Sequence, residues 1–269
     1  MRFRRAQLRA QAVLAPALLS LVWLSSAACQ NTPEPDFEDI PPANELYEQG
    51  LEKLNDKWLL WIIPRTDYVG AIEDFQAIID NYPYSDFAVK AELRIADSYF
   101  EDRRFEEALS YYRDFSDLHP QHEKVPYTIL RSAQCHYEQT ATIDRDQTAT
   151  REAMGYLERL LRDYPYAPET RDGEQTLLEL RGRLARGVLA RGDFYLDRDE
   201  YQAAAERYRS LLNEYPGLGH DAEALYKLGV CYDHMKLRDE ALRLYHVIVE
   251  NYRESDLAEE AQERISSAN

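Results

Sequence analysis

One phrase recurs along this 269-residue chain and limits what it can fold into. A ring followed by proline closes four segments: Asn81-Tyr82-Pro83, Leu118-His119-Pro120, Asp163-Tyr164-Pro165 and Glu214-Tyr215-Pro216. A fifth copy, Asn251-Tyr252-Arg253, has lost its proline. Proline lacks the amide proton and clashes with the preceding turn, so each copy marks a helix end. Between the copies apolar residues recur at helical spacing, with almost no strand-like alternation.

Counting back from each phrase exposes a finer code. From Pro120 the small and ring positions are Ala96, Tyr99, Ala108, Tyr112 and Phe115. From Pro216 the same offsets fall on Gly192, Tyr195, Ala204, Tyr208 and Leu211. From Arg253 they fall on Gly229, Tyr232, Ala241, Tyr245 and Ile248. Small side chains let two antiparallel helices approach, and the rings fill the gaps between pairs. This is the tetratricopeptide pattern, whose period is about 34 residues. The expected fold is all-α: five helix pairs from Glu45 to about Ser266, stacked as a right-handed superhelix.

The first and third units keep the code in their second helices (Ala71, Phe75, Ile78; Ala153, Leu157, Leu160) but carry insertions. Lys57 to Pro64 separates the helices of the first. Thr140 to Thr150 reads as a polar loop in the third. The fourth opens with a long, proline-free helix through Glu174 to Arg191. Residues 45–120 then hold repeats 1–2, and residues 121–269 hold repeats 3–5.

The amino terminus has another character. Met1 to Arg9 is basic, Ala12 to Leu24 is mostly apolar and Ser26-Ala27-Ala28 is small, the plan of a secretory signal over residues 1–28. Cys29 follows. It is either the acylated first residue of a mature lipoprotein or, after ordinary cleavage, a free thiol; Ser26 stands where the lipoprotein motif usually has an aliphatic residue. Gln30 to Pro42 holds four prolines and four carboxylates. So little apolar surface cannot repay ordering entropy, so residues 29–44 read as an extended tether. The Gln30 to Pro42 stretch has a reach of roughly 20 to 40 Å.

Charge narrows the function. The chain carries 49 acidic and 32 basic residues, a formal charge of −17. Arg2, Arg4, Arg5 and Arg9 leave with the signal, and the remainder stands at −21. That argues against a phosphate-tracking nucleic-acid binder and against adhesion to an anionic bilayer by charge alone. No nucleophile elbow, phosphate loop, dinucleotide turn or zinc motif is present, so neither catalysis nor a cofactor is expected. Cys231 and His234 have a spacing that metal sites use; the simpler expectation is a buried Cys231 and an outward His234. Cys135 and Cys231 lie two units apart, too far for a disulfide. Trp58, Leu59, Leu60, Trp61, Ile62 and Ile63 are consecutive apolar residues that one helical face cannot hide. They suit either an extended helix packed on the first pair or an exposed patch for a partner or the bilayer interface, with Trp58 and Trp61 as its anchors.

The chain resembles the BamD family of outer-membrane tetratricopeptide lipoproteins. The resemblance rests on Pro41-Pro42-Ala43-Asn44-Glu45-Leu46-Tyr47, Tyr82-Pro83-Tyr84-Ser85, His119-Pro120 with Val125-Pro126-Tyr127, the Asp144-Arg145-Asp146 insertion and the long fourth-unit helix. It implies a non-catalytic scaffold of the β-barrel assembly machinery, anchored by palmitate-type lipid on Cys29 to the periplasmic face of the outer membrane. Implied partners are the POTRA domains of a BamA-type barrel subunit, other lipoproteins of the complex and unfolded barrel proteins. Arg207 matches the family arginine that docks the barrel subunit. Tyr82, Phe194 and Tyr195 match substrate-contacting aromatics, though Phe194 lacks the hydroxyl often found there. The Trp58 to Pro64 insertion departs from the family. The rival expectation is a periplasmic scaffold for cell-wall or division machinery, or a pilot lipoprotein for a secretion pore.

Overall fold

A computed structural model describes residues 40–267 except 56, 60–62 and 144, with backbone only for 57–59 and 63–65. The signal segment, Cys29, most of the tether, Trp61 and Asp144 lie outside the described residues. The described helices belong to the second of two units, Ala43–Asn269.

The second unit is all-α apart from one small hairpin. Its helices are α1 (Ala43–Leu54), α2 (Tyr68–Asn81), α3 (Asp86–Glu101), α4 (Phe105–Leu118), α5 (Val125–Glu138) and α6 (Thr148–Asp163). They continue with α7 (Thr170–Leu196), α8 (Tyr201–Glu214), α9 (Asp221–His234), α10 (Arg238–Asn251) and α11 (Leu257–Ser266). Each helix packs on the one before and the one after it, so α1–α2 through α9–α10 are the five expected pairs. The eleventh helix was not separated from the fifth pair by the repeat code. It presses Ala261 and Ile265 onto the cluster of Leu225, Tyr245 and Ile248. Glu259, Glu260 and Glu263 face outward. A polar outer face over a buried inner stripe is what the end of a repeat stack requires.

The ring of the recurring phrase is the C-cap of every second helix. Tyr82, His119, Tyr164, Tyr215 and Tyr252 each donate the backbone N–H to the carbonyl four residues back, at 2.8 or 2.9 Å. Tyr252 keeps the backbone angles of its counterparts (φ −124°, ψ 44°) although Arg253 follows it. The ring position, rather than the proline, therefore sets the cap. In the three insertion-free repeats the turn between helices uses a left-handed residue: Arg103, Asp199 and Lys236, at φ 60° to 66°.

Small residues on the first helix of each pair face large ones on the second. A Cβ added to Gly50 would lie 2.6 Å from Phe75, one on Gly192 2.5 Å from Tyr208, and one on Gly229 2.6 Å from Tyr245. Tyr112, Tyr208 and Tyr245 are fully buried, yet each hydroxyl reaches a carboxylate: Asp97 at 2.7 Å, Asp193 at 2.7 Å and Asp233 at 2.9 Å. Burial raises all three phenol pKa values well above their ordinary range, and the facing carboxylate adds to it.

The first insertion is not an extended helix. Its backbone forms an antiparallel hairpin, β1 (Lys57–Leu59) and β2 (Ile63–Arg65), with Trp58 opposite Pro64. Pro64 cannot continue a helix, and a short strand edge tolerates it. After the hairpin, Asp67 caps α2 by accepting from Gly70 N at 3.0 Å, and Lys53 bridges Asp74 at 2.6 Å. In the third unit, α6 absorbs Thr148 to Thr150 from the expected loop.

Cys135 and Cys231 are free and buried. Burial pushes their thiols up to about 12 and about 11. His234 is exposed and stacks on Tyr201 at 4.1 Å between centroids. Among the described residues no group of three His, Cys, Asp or Glu side chains is placed to hold a metal ion, and no helix is long and apolar enough to cross a membrane.

Three outcomes are expected. Gly192→Ala should destabilise the protein by about 1 to 3 kcal/mol through overpacking on Tyr208. Gly155→Ala, in open space on α6, should stabilise it by about 0.5 to 1 kcal/mol; urea melts followed by circular dichroism compare the two. At pH 8, iodoacetamide should leave Cys135 and Cys231 unlabelled in the native protein and label both in urea, as read by peptide mass mapping.

Candidate partner-binding site

The long helix α7 serves two neighbours. Its first half buries Gly173, Leu177 and Leu180 against α6, and a Cβ on Gly173 would approach Leu160 to 2.9 Å. Its second half carries Val188, Leu189 and Gly192 into the α8–α9 core. One helix spanning two repeats leaves one face of its middle, Arg183 to Arg191, to be covered by something else. The insertion before α6 covers part of it.

That insertion is ordered by one side chain. Buried Gln147 donates Nε2 to the carbonyls of Thr142 (2.8 Å) and Arg145 (3.0 Å), and its Oε1 accepts from Thr150 at 3.0 Å. Arg183 Nη2 donates to the Ala141 carbonyl. Gly187 sits where the loop crosses, and a Cβ there would meet the Ile143 carbonyl at 3.3 Å.

Where loop, α7 and α8 meet there is a cleft of about 420 Å³ whose wall carries Arg145, Arg151, Arg183, Arg191 and Arg207. Two carboxylates share it, and both are engaged. Asp146 accepts from Thr148 N and Oγ1, at 3.3 and 2.9 Å, and Glu214 accepts from Ser210 Oγ. Arg183 Nε is buried without a hydrogen-bond partner among the described residues. Burial raises the Tyr215 phenol pKa and Glu214 adds to it, while the positive charge of Arg151 and Arg191 opposes the shift. In a chain of formal charge −17 this is a local reversal of sign.

The other expected site residues lie apart from this cleft. Phe194 and Tyr195 meet edge to face on α7, with ring centroids 5.5 Å apart at 85°. Tyr195 packs on the core, whereas Phe194 is 50% exposed and carries the Arg198 guanidinium 3.5 Å from its ring centroid. Tyr82 is half-buried at the end of α2, so these three aromatics stand on elements that pack against different neighbours. Trp58 pairs through its backbone in β1, and Trp61 and Cys29 fall outside the described residues.

A second concavity, of about 400 Å³, lies between the first helices of the early repeats, α1, α3 and α5. Tyr47 and Tyr127 flank it with Leu93, Arg94 and Asp97. Arg94 Nε donates to Tyr47 Oη at 3.2 Å, and Tyr127 Oη donates to Asp97 at 2.7 Å. The sequence named Tyr47 and Tyr127 only within motifs of resemblance and not as site residues, although a tyrosine-lined groove is what a stack with rings at this offset produces.

Comparison with known proteins follows the same lines. The family model described as YfiO, outer membrane lipoprotein, matches residues 40–246. Curated relatives named outer membrane protein assembly factor BamD include that of Vibrio cholerae, 28% identical over 74% of this chain and 80% of its own length. That of Rickettsia prowazekii is 27% identical over 87% and 89%. That of Caulobacter vibrioides is 25% identical over 78% of this chain, and the match spans 66% of the relative's length. Among solved structures, the TPR2AB domain of yeast Sti1 aligns at TM-score 0.42 and 14% identity, over 84% of this chain and 82% of its own. With the family model covering most of the helical stack, the chain belongs to the YfiO outer membrane lipoprotein family, the family of BamD.

Proposed function

We propose that this protein is an outer-membrane assembly factor, a scaffold that holds a barrel-forming subunit and incoming unfolded β-barrel proteins at the periplasmic face of the outer membrane. The observation that carries this reading is the arginine cleft of the C-terminal repeats, set in an acidic body whose relatives are named as outer membrane protein assembly factors. Arg207, exposed on α8, offers a planar fork to a carboxylate of a POTRA domain. The α1–α3–α5 groove supplies ring faces and hydroxyl tips suited to an extended segment with alternating apolar residues. Tyr82, Phe194 and Tyr195 would add separate aromatic contacts to the same substrates. Trp58 and Trp61 would form an additional contact specific to this chain, and lipid on Cys29 would provide the membrane attachment that an acidic body cannot obtain from charge.

Depletion in cells should lower the amount of β-barrel proteins in the outer membrane. Normal barrels with septation or secretion defects would instead favour a cell-wall, division or secretion scaffold. Arg207→Ala should reduce recovery of the barrel subunit in a pull-down, since truncating one partner of a buried charge pair costs about 2 to 5 kcal/mol; undiminished recovery removes Arg207 from the interface. Mass spectrometry of the mature amino terminus should find an acylated Cys29, and an unmodified thiol would end the lipoprotein reading.

A further inference from the structure

The cleft around Arg207 is larger than a single salt bridge requires. Arg151, Arg191 and Arg207 make no salt bridge among the described residues, and the buried Nε of Arg183 has no acceptor. The five guanidinium groups that line the cleft outnumber its two carboxylates, which leaves an excess of positive charge. Asp146 is turned onto the first turn of α6 and Glu214 onto Ser210. An arrangement of that kind is relieved when an anionic group enters.

We infer that this cleft is a receptor for an extended acidic peptide segment of a protein partner, bearing two or more carboxylates on one side of its chain. The inference rests on the reading of these repeats as a docking face. Helix geometry sets the spacing. Arg183 and Arg191 are eight residues apart on α7, roughly 12 Å along its axis. An extended chain rises about 3.3 Å per residue with alternate side chains on one face. The matching ligand is therefore an alternating run, acidic-x-acidic-x-acidic, whose outer carboxylates are about 13 Å apart. Arg207 on α8 and Arg151 on α6 then close on it from the two sides.

Two features favour a peptide over an anionic membrane or a phosphate. The α6 N-terminus at the rim, where a phosphate would find backbone amides, is occupied by the Asp146 carboxylate. A bilayer would have to approach the surrounding acidic surface as a plane, whereas a peptide strand enters the cleft alone. Arg183 has a second role here, because its hydrogen bond to Ala141 also holds the loop that forms one wall.

The test uses the full mature protein and a fluorescein-labelled peptide of sequence Gly-Glu-Thr-Glu-Thr-Glu-Gly, with its all-glutamine counterpart as control. Fluorescence anisotropy should show binding of the glutamate peptide only. Arg151→Glu and Arg191→Glu should each weaken it about tenfold or more, the effect expected for losing a charged hydrogen bond. Arg243→Glu, on α10 and paired with Glu240, should leave it unchanged. Arg151→Gln and Arg191→Gln repeat the measurement if a reversal variant melts early. Equal binding by wild type and cleft variants, binding of both peptides, or no binding of the glutamate peptide would overturn the proposal. So would capture of phosphatidylglycerol vesicles in place of the peptide, lost in the same variants, which would transfer the cleft to lipid. Pull-down of the barrel subunit separates this from the broader reading. Recovery that depends on Arg207 but not on Arg151 or Arg191 keeps the docking role and removes the receptor.

Discussion

The stack depends on a single recurring contact, the bare backbone of one helix under a large side chain of the next. At Gly192 and Gly229 the tyrosine ring occupies the volume a Cβ would need, and at Gly50 a phenylalanine does. Where the small residue is alanine, as at Ala96, the same position is fully buried beside Tyr112. The interlock fixes how deeply each pair closes. It also places a phenol where its hydroxyl has no water, so every such tyrosine needs an acceptor. Asp97, Asp193 and Asp233 meet that need on the groove-facing first helices. Packing and acidity are thus coupled: part of the negative charge exists because the rings are buried.

Those carboxylates organise what lies beside them. Asp97 accepts from Tyr127 as well as Tyr112, and Asp193 also receives Lys227 at 2.8 Å, so hydrogen bonds tie one repeat to the next. A short-range polar link adds orientation to contacts that apolar burial alone leaves free to slide. The arginine cleft arises where this regularity fails. Because α7 runs 27 residues, its central turns have no partner helix on one side, and the insertion held by Gln147 fills only part of the gap.

Most of the fold was legible because a repeat stack is written in one dimension: offset by offset, the small, ring and cap positions announce themselves in the chain. What stayed hidden depended on pairing between distant residues. The hairpin at Trp58 and Pro64 turns on register, which a run of consecutive apolar residues does not encode. Helix α11 has only Ala261 and Ile265 buried, too few positions for a period. In the cleft, Arg207 stood out through resemblance alone, while Arg151, Arg183 and Arg191 are separated in sequence and met through folding. One signal was present. Gly187 interrupts a helix of good formers, and such a glycine usually marks a close backbone approach, here by Ile143.

The range of electrostatic forces explains how so acidic a scaffold can be selective for an acidic segment. Exposed charges interact over about 8 Å at physiological ionic strength, and groups farther apart are screened. A broad acidic surface presented to this protein meets the carboxylates of the helix faces before any of its own charge comes within range of the guanidiniums. A single strand that reaches between α7 and α8 meets the opposite field, in a cleft that solvent screens less. The repulsion of the body and the attraction of the cleft therefore select for the same property, negative charge confined to a narrow, extended segment. Neutralising the outer acids would weaken that discrimination without touching the cleft.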